Sequence, residues 1–162
     1  MGNISNVTYC RNIALVTLRN VPCESKIIGE ILTSISASGI NVDMISQTAP
    51  QGETISIAFT ISIDAMGVLM PVVNSFKPKY PELNMEVAVG MTKVNFFDSN
   101  MVGTPGVAAQ VFSMLSEGNI RVTMITTSTV DISILIPEHD EDAALNLCRE
   151  AYGVEPEELA FS

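Results

Sequence analysis

The residues able to do acid–base, nucleophilic or metal chemistry are few. Three cysteines, Cys10, Cys23 and Cys148, lie far apart, and there is one histidine, His139. An odd, widely spaced set without a Cys-x-x-Cys pair describes neither a disulfide frame nor a zinc site. It describes reduced thiols, and hence a cytoplasmic protein. His139 stands in the run His139-Asp140-Glu141-Asp142 ahead of a helical pattern. Acids there suit the positive end of a helix, so the run reads as a solvated first turn and not as a catalytic base. Cys23 precedes a helix, a setting that favours thiolates, yet no sequence partner for general-base work accompanies it. A glycine-rich phosphate loop with lysine, a metal-spaced cluster and a Ser/His/Asp set are all missing. The sequence therefore predicts no catalytic residues, no metal and no cofactor, and points to non-covalent recognition.

Charge narrows the partners. The chain of 162 residues has a formal net charge of −10, which repels the phosphate backbone of nucleic acid. No apolar run reaches the roughly 18 residues of a membrane span, because Asp64 and scattered Ser and Thr interrupt Ile55 to Val73. The opening MGNISNVTYC lacks the charged and apolar regions of a secretory signal. Its first residues fit the loose pattern for acylation at Gly2, and short patterns of that kind match by coincidence.

The elements that must position any site are organised around Thr104 to Pro137. Val107, Ala108, Val111, Phe112, Met114 and Leu115 recur at helical spacing, and Gly118-Asn119 can end the helix in a left-handed conformation. From Ile120 the period becomes two, Ser128 to Asp131 is a turn, and Ile132, Ile134 and Ile136 alternate with Ser133 and Leu135. An internal copy of this unit lies 80 residues earlier: Ser36, Ile40, Val42, Met44 and Ile45 fall on Ser116, Ile120, Val122, Met124 and Ile125. Two copies in a short chain mean two small modules and not a solenoid. Met44 and Met124, at matched places, read as core filler before ligand grips.

In order, the pattern predicts strands at Val7 to Tyr9 and Ile13 to Leu18, and a helix from Lys26 to Ser38 capped by Glu24 or Ser25 and closed by Gly39. Strands Ile40 to Thr48 and Thr54 to Ile63 follow, then a helix Ala65 to Phe76 capped by Asp64 with Pro71 inside it. A strand Leu83 to Val89 completes the first module. The second repeats it with Lys93 to Asp98, the organising unit, and a helix Asp140 to Tyr152. This is an α+β chain of two ferredoxin-like βαββαβ modules, each an antiparallel four-stranded sheet with helices on one face. The acidic, proline-broken GVEPEELAFS makes a poor closing strand. The expected division is 11–90 for the first module and 91–162 for the second, completed by an N-terminal strand at 4–10.

These residues resemble a family. Gly103-Thr104-Pro105-Gly106-Val107-Ala108-Ala109, Asn119 to Ser128 and Ile132-Ser133-Ile134 are similar to the second ACT domain of aspartokinase. Gly39-Ile40-Asn41-Val42-Asp43-Met44-Ile45-x-Gln47 resembles the matching strand of its first ACT domain, and Val7 to Asn12 the short strand before it. The resemblance spans nearly the whole chain. It implies a regulatory region without the amino-acid-kinase domain, as in the separate small subunit of some bacterial aspartokinases. It further implies a lysine- or threonine-like effector held between modules, in a homodimer or a heteromer with a catalytic subunit. The effector-contacting positions carried over are Cys23, Lys26, Ile28, Asn41, Val42, Asp43 and Gln47, with Arg121 and Val122 on the facing strand. Asn41, Asp43 and Gln47 match the family pattern. Cys23 stands where Asp is usual, Ser25-Lys26 where Pro-Gly is usual, and Arg121 where Asn is usual; Glu24 is the acid able to substitute for the missing Asp. A loop leading into a helix offers free backbone N–H groups that suit an α-carboxylate, and a nearby acid suits the α-ammonium. The alternative is a structural subunit that binds no effector and pairs its sheets with an ACT-containing enzyme.

Overall fold

The computed structural model describes residues 4–161, so the Gly2 acylation pattern lies outside the described residues. It divides into two compact units. One comprises the chain up to Arg11 together with Gly90–Phe161, and the other comprises Asn12–Val89.

In the second of these, strand β1 (Asn6–Pro22) supplies its latter part, followed by helix α1 (Ser25–Ala37), β2 (Ile45–Gln47), β3 (Thr54–Ser62), α2 (Met66–Asn74) and the first part of β4 (Asn84–Phe97). The strand order is β2-β3-β1-β4, and β3 runs antiparallel to both its neighbours. Ile27, Ile31 and Ile35 recur every four residues along α1 and pack with Val16, Leu18, Ile55, Ile57, Phe59, Leu69 and Val73 into one core. Gly39 leaves the helix at φ +77, a conformation open to glycine without a Cβ penalty.

The other unit repeats the plan with the latter part of β4, then α3 (Val107–Glu117), β5 (Met124–Thr127), β6 (Asp131–Pro137) and α4 (Glu141–Tyr152). Its order is β5-β6-β4, with the first part of β1 beside β4. Val107, Val111, Met114 and Leu115 of α3 meet Ile4, Val7, Val94, Phe96, Ile132, Ile134, Ile136, Leu145 and Cys148 in a separate core. Ser5 N–H donates to the Phe97 carbonyl at 3.0 Å. The fold is α+β with ferredoxin-like modules and antiparallel sheets.

Several elements differ from the sequence pattern for local reasons. Strands β1 and β4 each run unbroken where two short strands are predicted. Asn12 at φ +59 and Gly90 at φ +66 absorb the break without ending the strand, and Asn20 at φ +58 accompanies a register shift between Leu18 and Val21. Strand β2 is three residues long, not nine. Before it, Asp43 N–H and the Met44 carbonyl still bond to the Thr60 backbone, but Met44 N–H turns to the buried hydroxyl of Thr60 at 2.9 Å, so the regular ladder starts only at Ile45. Strand β5 likewise begins at Met124 and not at Ile120. Asp64 does not cap α2. A 3-10 turn, Ile63–Ala65, comes first, and the Ser62 hydroxyl accepts from Asp64 N–H at 3.4 Å. Glu24 occupies the N-cap of α1 without a side-chain hydrogen bond. Of the pair ending α3, only Asn119 is left-handed, at φ +54. At Gly118 a Cβ would lie 2.6 Å from Leu147 Cδ1, the end of a half-buried side chain that would have to turn aside. Finally, the acidic segment after α4 does form a strand, β7 (Glu157–Glu158), parallel to β1.

Candidate functional site

The lead-in to α1 is built by two turns held together. Cys23 N–H donates to the Glu53 carbonyl at 2.9 Å, and Pro22 pairs with Thr54, so the end of β1 and the turn before β3 close side by side. Between them opens a cleft of about 560 Å³ lined by Pro22, Cys23, Glu24, Gly52, Glu53 and Thr54. Two carboxylates and a thiol thus border it, and Cys23, Glu24, Ser25 and Lys26 are all exposed. The Glu24 carbonyl accepts from Ile27 and Ile28 N–H at 3.0 and 3.1 Å, which starts the helix. With no side chain capping that end, the positive pole of α1 faces solvent beside the cleft. Lys26 is on the open side of the helix, whereas Ile28 is half-buried against the core.

The second group lies along the edge of the same sheet. Asn41, Asp43 and Gln47 are exposed, and Val42 packs on the core. Asp43 N–H donates to the Thr60 carbonyl at 3.1 Å, while Gln47 pairs with Ile57. Thr54 marks the level of the cleft, and Thr60 is six residues further along β3. At about 3.3 Å per residue, Asp43 is therefore roughly 20 Å from the cleft and Gln47 roughly 10 Å. The structure brings Cys23, Glu24 and Glu53 together and leaves Asn41 and Asp43 at a different level. Glu53, on the turn preceding β3, is absent from the sequence reading; no spacing signal tied it to Cys23, because the contact is made by its backbone carbonyl.

Arg121 and Val122 belong to the other unit, in the stretch before β5. Arg121 is exposed and Val122 packs on that unit's core. The burial of 121–125 repeats that of 41–45 residue by residue, with Met44 and Met124 both buried. Those methionines are core.

The acidic run at 138–142 holds something that a solvated first turn does not. Glu141 is 6% exposed. Its carboxylate accepts from Arg11 Nε at 2.8 Å, from Arg11 Nη2, and from Thr92 Oγ1 at 2.8 Å. Burial alone would raise this carboxyl's pKa, but the hydrogen bonds from Arg11 and Thr92 overcome that and hold it below its ordinary value. Every acceptor oxygen here is occupied by the protein, so the cluster reads as structural. His139 is exposed, with Asp140 at 3.5 Å. Burial pushes the Cys148 thiol up to about 12, which suits a core residue and not a nucleophile. Among the described residues, no three His, Cys, Asp or Glu side chains are grouped to hold a metal ion, and no helix is long and apolar enough to cross a membrane.

Comparison with known proteins agrees with this architecture. Residues 94–152 match a family model described as ACT domain. An aspartokinase of Bacillus sp. (strain MGA3) is 30% identical over 149 residues, covering 92% of this chain and 36% of the relative. Aspartokinase 2 of Bacillus subtilis (strain 168) is 27% identical, again over 36% of its length. The chain thus spans about a third of these relatives, their C-terminal regulatory region. Among solved structures, the regulatory subunit of aspartate kinase from Thermus thermophilus, in a ligand-free form, superposes with a TM-score of 0.79 at 26% identity. The match covers 93% of this chain and 99% of that one. Aspartate kinase from Synechocystis gives a TM-score of 0.91 at 28% identity over 28% of its length. Residues 94–152 thus match an ACT domain, and the chain as a whole resembles the regulatory region of bacterial aspartokinases.

Proposed function

We propose that this chain is a regulatory amino-acid sensor: it binds a small amino acid such as lysine or threonine and passes the change to a partner enzyme chain. The observation that carries the reading is the uncapped N-terminus of α1 opening beside a cleft with two carboxylates. Backbone N–H groups at that helix end suit an α-carboxylate, and Glu24 with Glu53 suits an ammonium group. Cys23 and Lys26 border the ligand there, and Ile28 backs it. Asn41, Val42, Asp43 and Gln47 form the second contact patch, and Arg121 and Val122, in the stretch before β5, are the matching contact positions of the other unit.

A free amino acid is only several ångströms long and cannot reach from the cleft to Asp43 at roughly 20 Å. Both patches touch one ligand only when a second chain supplies one of them, which makes the sensor a homodimer or a heteromer with a catalytic subunit. A second reading, an assembly subunit that binds no effector, is favoured by Ile45, which is 45% exposed on the edge strand β2.

A thermal-shift screen against the protein amino acids separates the two. At a ligand concentration of ~100 Kd the native state gains about 2.7 kcal/mol. For a chain of this size that corresponds to an upward shift of roughly 5–10 °C. One amino acid is expected to give such a shift, and Asp43→Ala to abolish it. If none of them moves the midpoint at millimolar concentration, the sensor reading fails and the assembly subunit stands.

A further inference from the structure

The sheet of the unit built around β4, β5 and β6 is closed on its β1 side by an unusual strand. Strand β7 is two residues long and runs parallel to β1, pairing Thr8 with Glu157 and Tyr9 with Glu158. Leu159 N–H adds a bond to the Tyr9 carbonyl at 2.8 Å. The segment is matched to its edge by charge. Glu155 lies in the fork of Arg149, at 3.0 and 2.9 Å from Nε and 2.7 Å from Nη2, and Glu158 is 3.5 Å from Arg11 Nη1. Pro156 is buried and Val154 packs on the core.

We propose that residues 154–159 form an exchangeable strand, and that the edge of β1 around Thr8 and Tyr9 accepts the same segment from a second copy of this chain. In its own chain the segment is held by the burial of Pro156, the packing of Val154, the short β7 ladder and the two ion pairs, and a second copy can make each of these contacts in the same way. Both ion pairs sit on the surface and are screened by salt, the forked Arg149–Glu155 pair being the stronger of the two. Leaving is easy for the backbone. Gly153 ends α4 at φ +65 with open space around it, so this one residue can swing the segment away. Pro156 restricts Glu155 to extended conformations, so what swings away is already a strand and loses little freedom on pairing again. An edge vacated in this way is a row of unpaired N–H and C=O groups. The segment of a second copy restores every bond made in the single chain, and reciprocal exchange closes both edges under a two-fold axis. Salt screens the same pairs in either arrangement, so it quickens exchange more than it changes the final ratio. The net charge of −10 opposes dimers at low salt and is itself screened as salt rises. This inference stands apart from the cleft beside Cys23, which lies in the other unit.

The test uses the full chain in a Cys23→Ser background. Chains carrying Thr8→Cys and uniformly labelled with 15N are mixed with unlabelled chains carrying Glu157→Cys. They are incubated at high concentration and moderate salt, then oxidised with glutathione. Digestion and mass spectrometry are expected to find a heavy peptide bearing position 8 joined to a light peptide bearing position 157. A mixture giving no such link, with a Thr8→Cys/Glu157→Cys chain that closes only on itself, overturns the proposal. A second measurement needs no new cysteine. Glu155→Lys and Arg149→Glu chains each lose the pair at home and regain it in trans. Native mass spectrometry of their mixture is expected to show mixed dimers at more than twice the level of either homodimer; mixed dimers at or below that statistical level overturn the exchange.

Discussion

Replacing Thr92 by valine isolates one hydrogen bond to the buried carboxylate of Glu141. Thr92 is fully buried, its Oγ1 donates to Glu141 Oε2 at 2.8 Å, and valine keeps its shape while deleting the hydroxyl. A hydrogen bond to a charged group contributes about 1.5–3 kcal/mol, so Thr92→Val should cost that much at pH 7. At roughly 2–4 °C per kcal/mol for a chain of this length, the midpoint should fall by about 3–12 °C. The loss should also depend on pH, in a stated direction. Glu141 is held below its ordinary value of 4.5, so its ionised form stabilises the fold above about pH 4.5. As pH falls, the unfolded chain protonates first and the contribution is lost, until the folded carboxyl is protonated too. The charge-assisted part of the Thr92 bond disappears over the same window. Thermal unfolding followed by circular dichroism at pH 7 and pH 3 should therefore show a large penalty for Thr92→Val at the first and a clearly smaller one at the second. Thr92→Ser, which keeps the hydroxyl, should recover most of the loss at pH 7. A penalty equal at both pH values, or below about 0.5 kcal/mol at pH 7, would refute the argument that this bond holds the carboxylate charged.

Two glycines should respond in opposite directions to alanine. At Gly118 the new Cβ would press on Leu147 Cδ1 at 2.6 Å and Ile120 Cγ1 at 3.3 Å; because the half-buried Leu147 can turn aside, a cost toward the lower end of the about 1–3 kcal/mol of overpacking is expected. Adding Leu147→Ala should make the two substitutions couple, because the colliding atom is gone. Gly29, inside α1 with nothing within 4 Å, should gain about 0.5–1 kcal/mol as alanine. Urea titrations of the single and double variants check all three. A thiol assay at pH 8 should label exposed Cys23 in the native chain and leave Cys148 untouched until unfolding, since burial raises that thiol to about 12; prompt labelling of Cys148 would contradict its place in the core.

What the sequence made legible followed from period and repetition. The helical spacing of Ile27, Ile31 and Ile35, and of Val107, Val111 and Leu115, located both helices to within a residue or so of their bounds. The alternation along Ile55 to Ile61 marked a strand buried on one face. Periodicity misled where polar residues carry a strand through a bend. The polar Arg11-Asn12 falls between the two strands that the pattern predicts, but Asn12 tolerates a positive φ, and β1 continues past it. Capping was misread at Asp64 because its neighbour Ser62 supplies the oxygen. The Glu141 cluster was hidden for a different reason. Its three members, Arg11, Thr92 and Glu141, are separated by 81 and 49 residues, and their meeting depends on sheet order, which no local pattern records. The candidate site was legible as a loop before a helix, while the part played by the Glu53 turn came from a backbone contact.

The two copies show where function can reside on this scaffold. Their cores correspond at most positions of α1 and α3, down to the matched burial of Met44 and Met124 and the left-handed residues Gly39 and Asn119 that leave α1 and α3. Their helix approaches do not correspond. Helix α3 starts after Gly106, left-handed at φ +90, whereas α1 starts one residue after Glu24 in an extended conformation, with Ser25 and Lys26 already helical where the copy has Pro105 and Gly106. A packed core constrains the residues that touch it, so a shared core fixes the frame and says little about ligands. A loop at the surface is free of that constraint, and difference there between copies of one module is difference in what can be bound. The cleft beside Cys23, Glu24 and Glu53 occurs at the approach where the two copies part. Recognition should therefore be changed by swapping 22–26 and left largely intact by conservative exchanges of α1 core residues such as Ile31→Val, which should lower stability by about 0.5–1.5 kcal/mol and leave ligand specificity as it was.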